Sequence, residues 1–168
     1  MIPKFRAWDK QTHRLTNVLV IDWLNELVDL EGGRIDRQFD EVELVQSTGL
    51  KGYMDDSFND DGEKEVFKGD VIDIFWEEYV AGFYQENHLM GVVDLDETGT
   101  AWIINKAKYD YHNPQTIPNE IDGMSISRSL PTEDDLEEVF LHAFNLTADD
   151  ITILGNIYEN PELLEGAK

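Results

Sequence analysis

The hexapeptide VIDIFW at residues 71–76 most constrains the fold, because its apolar residues alternate with the period of a β-strand. Ile72, Ile74 and Trp76 share one face, as expected for a strand that faces a core. Gly69 and Asp70 come directly before it: glycine takes positive φ without a Cβ penalty, and aspartate hydrogen-bonds turn amides. The sequence therefore predicts a turn at residues 67–70 that feeds a buried strand.

Similar patterns predict further strands along the whole chain. Short alternating or β-branched runs occur at residues 3–8, 41–47, 89–95, 101–104 and 151–158. The runs at 89–95 and 101–104 flank the turn sequence DETG and predict a hairpin. Together these runs predict a mainly β protein.

Two other stretches are less regular. Residues 15–33 are ambiguous, because Val18 to Ile21 favour a strand whereas Leu24, Leu27 and Val28 have helical spacing. Residues 53–63 are rich in Asp, Asn and Gly and are predicted to form a surface loop.

Residues 131–145 carry the clearest helical pattern. Thr132 is placed to cap a helix, and acidic residues follow it in the first turn, where the helix dipole favours anions. One apolar stripe follows at helical spacing: Leu136, Val139, Phe140, Ala143 and Phe144. We expect one amphipathic helix packed on the sheet. It would lie within an irregular acidic insertion at about residues 106–150 of a single domain spanning 1–168.

The charge of the chain is unevenly distributed. Its formal net charge is −23, from 13 Lys+Arg and 36 Asp+Glu. Residues 1–51 carry 7 Lys+Arg against 9 Asp+Glu, a net −2, whereas residues 52–168 carry 6 against 27, a net −21. Because nucleic-acid affinity rests on cations that neutralise phosphates, direct nucleic-acid binding by the second part is disfavoured.

The composition also limits the compartment. The chain has no cysteine, so it has neither a disulfide framework nor a thiolate metal site. Its first ten residues carry four charges, unlike a secretory signal, and no apolar run reaches the length of a membrane-spanning helix. We expect a cytoplasmic protein that does not enter a membrane.

Motifs for catalysis, cofactors and metals are missing from the sequence. Phosphate-binding glycine loops and the nucleophile elbow do not occur, and the four histidines form no zinc-type pair. An EF-hand needs Glu at loop position 12, but a loop centred on Gly62 places Lys68 there and one centred on Gly99 places Asn105. No catalytic residue, cofactor site or metal site is predicted.

Four sequence blocks resemble the YopX family of phage and prophage proteins. They are IPKFRAWDK at the start, LVQSTGLK at 44–51, EVFKGDVI at 65–72 and ITILGNIYENPELL at 151–164. The family's recurrent positions fall here on Arg6, Trp8, Gly49, Gly69, Asp70, Gly155, Asn156, Tyr158 and Pro161. The resemblance implies no established activity and no catalytic residues, and we interpret these positions as structural.

The combined prediction is an α+β, mainly β protein with a small, strongly bent sheet or an SH3-like barrel. We expect a non-enzymatic phage or prophage accessory protein, acting in the host cytoplasm through protein contacts that include homo-oligomerisation. Fold analogy alone does not identify the partner.

Two alternatives remain open on the sequence. The acidic second part could mimic DNA and inhibit a basic nucleic-acid-binding protein of the host. Arg6 and Trp8 could instead stack on single-stranded nucleic acid, since a stacking platform combines aromatic and cationic side chains.

Overall fold

A computed structural model describes residues 4–33, 35–55, 62–127 and 130–165 of the chain. Within these residues, two short helices are present, α1 (Glu133–Glu137) and α2 (Glu162–Glu165). The strands are β1 (Phe5–Asp9), β2 (Arg14–Asp22), β3 (Leu27–Leu30), β4 (Ile35–Gln38), β5 (Val42–Met54), β6 (Lys64–Phe67), β7 (Asp70–Val80), β8 (Phe83–Leu95), β9 (Trp102–His112), β10 (Glu120–Ile121), β11 (Met124–Ser125), β12 (Glu138–Phe140) and β13 (Ile151–Asn156).

Eleven of these strands form one large sheet, which confirms the mainly β prediction. The order is β12-β9-β8-β7-β13-β5-β1-β2-β3-β4, and β6 pairs with β5 beside this path. All pairs are antiparallel except β13 with β5, which run parallel. The two end strands, β12 and β4, do not pair with each other, so the sheet stays open. The SH3-like barrel is therefore not confirmed.

Residues 15–33 form the β2–β3 hairpin, which resolves their ambiguous pattern. Val28 and Leu30 are both buried, and Asp29 between them is only partly so. This is strand alternation, which a helix with Leu24, Leu27 and Val28 on one face would not produce. Leu24 lies at the turn of the hairpin and is almost fully exposed.

The apolar side chains of the sheet form two separate cores. The large core contains ten buried residues from β6 to β9, β13 and the turn at Leu141–Ala143, among them Ile72, Ile74 and Ile104. The small core contains Ala7, Val28, Leu30 and Val42. Beside the small core, the guanidinium of Arg37 on β4 lies 3.0 Å from the buried Asp9 carboxylate on β1.

Residues 106–150 contain more regular structure than their composition indicates. Strand β9 continues to His112, and β10 and β11 form a separate two-stranded hairpin. Of the surface loop predicted at 53–63, residues 56–61 lie outside the described residues, and β5 extends through Met54 on its near side. The single-domain boundary and the insertion stay predictions.

The helix predicted at residues 131–145 is wrong beyond its first turn. The cap is as expected, since the Thr132 hydroxyl accepts a hydrogen bond from the Asp135 amide at 3.3 Å. After Glu137, however, the chain extends as β12 and pairs with β9, placing Val139 opposite Ile104.

Pairing at the sheet edge explains why the longer helix does not form. β12 satisfies backbone groups along β9 that an edge strand otherwise leaves to solvent. Three residues of the stripe, Leu136, Val139 and Phe144, still pack against the large core, next to the buried Leu141. The other two, Phe140 and Ala143, are exposed. Helical spacing of apolar residues therefore did not require a helix. In the described part of the chain, no helix has both the length and the apolarity needed to cross a membrane.

Candidate functional site

Seven of the nine family-motif residues converge where the two cores meet. They come from β1, from the β6–β7 turn and from the end of β13, and we call them the motif cluster: Arg6, Trp8, Gly69, Asp70, Gly155, Asn156 and Tyr158. Trp8 stacks on Tyr158, with ring centroids 5.7 Å apart and an interplanar angle of 26°. The Tyr158 hydroxyl donates a 2.9 Å hydrogen bond to Glu43 on β5. An aromatic pair thus joins the first strand to the segment after the last one.

Gly69 allows this segment to approach the β6–β7 turn. Its φ is 84°, and a Cβ at this position would lie 2.8 Å from a ring carbon of Tyr158. Its carbonyl accepts a 2.9 Å hydrogen bond from the Ile157 amide, and its own amide donates to Val93 at 2.8 Å. Glycine is needed here both for the positive φ and for the close contact.

Asp70 closes the same turn from inside the protein. Its carboxylate is buried and accepts a 2.8 Å hydrogen bond from the Phe67 amide. Burial raises the pKa of Asp70 to about 6, although the Phe67 amide and the positive charge of Arg6 act against this rise. The midpoint of its protonation therefore lies at about pH 6, above that of an exposed aspartate.

Arg6 is held by groups on both of its neighbouring elements. Its guanidinium lies over the Phe67 ring, 4.5 Å from the centroid, and its Nε donates a 3.3 Å hydrogen bond to Asn17. Since Arg6 and Trp8 both make internal contacts, they do not form an open stacking platform. The absence of direct nucleic-acid binding, which the charge of the sequence favours, stays a prediction.

Asn156 and Gly155 shape the turn that follows β13. The Asn156 side-chain oxygen accepts hydrogen bonds from the amides of Tyr158 and Glu159, at 3.0 and 2.9 Å. A Cβ at Gly155, whose φ is 152°, would lie 2.6 Å from the Asn160 side chain. The two residues together fix the position of Tyr158.

The other two motif residues lie outside this cluster. Gly49 is exposed, has φ 80° and lies where the register of β5 with β6 shifts. Pro161 is exposed and precedes α2, where its carbonyl accepts a hydrogen bond from the Leu164 amide. These interactions involve only neighbouring strands and turns, so we interpret the role of both residues as local.

The acidic turn at DETG is organised by its own backbone. Asp96 accepts hydrogen bonds from the Thr98 hydroxyl and from the amides of Thr100 and Ala101. These bonds, the Thr98 hydroxyl first, lower the pKa of Asp96 to about 2. Among the described residues, no group of three or more histidine and acidic side chains is arranged to hold a metal ion.

Sequence reasoning missed an exposed apolar surface at the β2–β3 turn. Four large side chains are exposed there, and we call them the hairpin tip: Leu19 (60%), Val20 (55%), Trp23 (68%) and Leu24 (90%). Asp22 fixes the turn, because its carboxylate accepts hydrogen bonds from the amides of Leu24 and Asn25, both at 3.0 Å. The signal in the sequence was an Asp-Trp-Leu-Asn run, which combines turn residues with apolar ones.

The fold and the motif cluster define a class of protein: an open, mainly β sheet with two cores, in which the motif cluster joins β1 to the segment after β13. The family model for the YopX protein matches residues 4–165. The chain therefore belongs to the YopX family, as its sequence blocks indicated. A comparison with curated proteins gave no match, and neither did a comparison with solved structures.

Proposed function

We propose that this YopX-family member is a non-enzymatic phage or prophage accessory protein that acts through protein contacts. The observation that carries this proposal is the hairpin tip. It exposes a tryptophan and three aliphatic side chains on a turn that two hydrogen bonds to Asp22 organise, and the Trp23 ring contacts Phe39 at a centroid distance of 5.4 Å. Tryptophan is enriched among the residues that dominate binding energy at interfaces, and contiguous exposed apolar surface is typical of interaction sites.

The position of the hairpin tip also favours association. It lies within residues 1–51, whose net charge is only −2, and away from the part that carries −21. A protein partner, including a second copy of the chain, can approach this part with less repulsion than elsewhere. Apolar contacts of this kind are expected to resist salt, unlike ion pairs.

The test is a pull-down of tagged protein from host lysate at low and high salt, with sedimentation of the purified protein to detect self-association. We expect binding or self-association that survives high salt and is lost in the double variant Trp23→Ser, Leu24→Ser. Tyr79→Ser is the matched control, because Tyr79 is 73% exposed near the end of β7, in a different hairpin.

Two results would contradict this proposal. The first is a partner retained equally by the double variant and by the wild type. The second is turnover of a nucleotide or nucleic acid by the purified protein that disappears in a folded Asp70→Asn variant.

A DNA-mimic function is the second candidate, and it has its own observation. A cleft of about 540 Å³ is lined by four carboxylates, Glu97, Asp134, Glu137 and Glu138, and no cation lines it. Carboxylates on one surface can occupy the phosphate contacts of a basic protein. Such a partner would be released by high salt and displaced by duplex DNA, and would bind more weakly to Asp134→Asn, Glu137→Gln. Binding insensitive to both salt and DNA would exclude it.

A further inference from the structure

A polar cleft lies beside the first half of β2, next to the small core. Its volume is about 510 Å³, and its walls include Arg6, Arg14, Asn17, Glu31, Ile35 and Glu159. Cavities that take small organic ligands typically measure roughly 300–1,000 Å³. The cleft is thus large enough for a small molecule, and two guanidinium groups line it.

Arg6 is preorganised to face this cleft. Its guanidinium rests on the Phe67 ring and its Nε donates to Asn17, whose side-chain amide in turn donates a 2.6 Å hydrogen bond to Glu31. These contacts use Nε and one face of the guanidinium and leave its two terminal nitrogens available. An arginine held in one orientation loses little entropy when it binds an oxyanion.

Arg14 contributes a second cation without any competing internal partner. Within the part of the chain that the structure describes, the Arg14 side chain has no hydrogen bond or ion pair, although the protein carries 36 carboxylates. Other cations of the same sheet, such as Lys4, Lys51 and Lys68, each pair with a carboxylate. The donors of Arg14 are therefore available to a ligand.

The carboxylates of the cleft are already hydrogen-bonded. Asp9 pairs with Arg37, and Glu31 accepts from Asn17. Glu159 accepts from the Leu15 amide at 3.4 Å and from the Asn156 side chain at 3.1 Å. These bonds stabilise the carboxylates without using Arg6 or Arg14. Apart from Glu159, none of the carboxylates beyond residue 51 lines this cleft, and salt screens more distant charges with a Debye length of about 8 Å.

We propose that this cleft binds a small organic anion whose oxyanion group is recognised by Arg6 and Arg14. The ligand chemistry is a carboxylate or a phosphate ester, since both match the planar donor geometry of guanidinium groups. The hydroxyls of Thr12 and Thr16 in the wall add neutral donors. This site is separate from the hairpin tip, so it does not depend on the protein-contact function.

The test is a titration of the full-length protein with citrate, with inorganic phosphate and with adenosine monophosphate, at constant ionic strength set with chloride. The readout is the NMR signals of the arginine Nε–H groups. We expect saturable shifts of the Arg6 and Arg14 signals for at least one probe. The probe that binds more tightly identifies the class, citrate for carboxylates and the other two for phosphates.

Two variants then distinguish recognition by the cleft from the general effect of removing one positive charge. Arg14→Gln is expected to weaken binding about tenfold without loss of folding, because the Arg14 side chain makes no hydrogen bond or ion pair within the described residues. Lys4→Gln removes the same charge from a nearby exposed residue outside the cleft and should leave the affinity within twofold. The proposal is overturned if no probe gives a saturable shift, or if Arg14→Gln and Lys4→Gln bind the best probe as tightly as the wild type.

Discussion

The two cores belong to one sheet but differ in size, charge and apolar exposure. The large core has ten buried members and lies in the strongly acidic part of the chain, whereas the small core has four. The strands around the small core are nearly neutral in net charge and carry the hairpin tip and the arginine cleft. A core of four buried residues stabilises little by itself. The motif cluster forms the junction between the two regions, because the Trp8–Tyr158 contact joins β1 of the smaller region to the segment that follows β13 of the larger one.

Truncating one residue in each core is the strongest test of this comparison. Ile74 and Val28 are both fully buried. Ile74→Ala should lower the free energy of unfolding by about 4 kcal/mol, and Val28→Ala by about 2 kcal/mol, since fewer methyl groups are removed. Urea unfolding measures both effects. Hydrogen exchange in Val28→Ala should rise mainly in β2, β3 and β4. An equal rise across β7 to β9 would show that the two cores unfold as one unit.

The next largest effect is expected at the junction itself. Gly69→Ala should lower the free energy of unfolding by about 3 kcal/mol, through positive-φ strain and through the contact with the Tyr158 ring. Gly82→Ala is the control, because Gly82 has φ 88° but no atom within 4 Å of an added Cβ. The difference between the variants in thermal unfolding measures the contact alone. Equal destabilisation would mean that Tyr158 moves away without cost.

The smallest expected effect is the pH dependence due to Asp70. Because burial raises the pKa of this group from 3.8 to about 6 in the folded protein, ionisation opposes folding. The penalty is absent below about pH 4, grows as the pH rises towards 6, and is complete above it. Asp70→Asn should therefore raise the free energy of unfolding at pH 8 by about 2 kcal/mol. The pKa shift of Asp70 corresponds to roughly 3 kcal/mol. The expected gain is smaller, because the side-chain amide of the variant is buried and needs a new hydrogen-bond partner.

The comparison of wild type and Asp70→Asn should be made from pH 4 to pH 8. The stability of Asp70→Asn relative to the wild type should rise by roughly 3 kcal/mol across this range, from about −1 kcal/mol at the acidic end to about +2 kcal/mol at pH 8. Asp9 and Asp135 have lowered pKa values and contribute in the opposite direction, with stability that is lost on acidification below their unfolded pKa of 3.8. Since both variants contain them, they cancel in the difference. A constant difference across this range would show that Asp70 does not titrate within it.

Local patterns were sufficient to predict most of the strands. Alternation at residues 71–76 and the DETG turn are short-range signals, and both β7 and the β8–β9 hairpin agree with them. The helix at 131–145 failed because pairing of Val139 with Ile104 is non-local and competes with helical spacing. The spacing of apolar residues within 131–145 contains no information about the edge of β9 with which they pair.

The candidate sites were predictable to different degrees. The sequence blocks identified Trp8, Gly69 and Tyr158, but their contacts depend on where β13 inserts in the sheet. The arginine cleft was not predicted, because Arg14 and Glu159 are 145 positions apart in the sequence and neither is one of the recurrent family positions. The hairpin tip was not predicted, because the pattern of residues 15–33 fitted a strand and a helix equally.

The position of β13 has a consequence for synthesis on the ribosome. β13 lies between β7 and β5, yet it follows both of them in sequence. Until about residue 156 has left the ribosome, β5 and β7 each present an unpaired edge. At roughly 5–20 residues per second, this interval lasts several seconds after β7 has been made. During that time the nascent chain is open to strand exchange with neighbouring chains, and its many carboxylates provide the repulsion that keeps them apart.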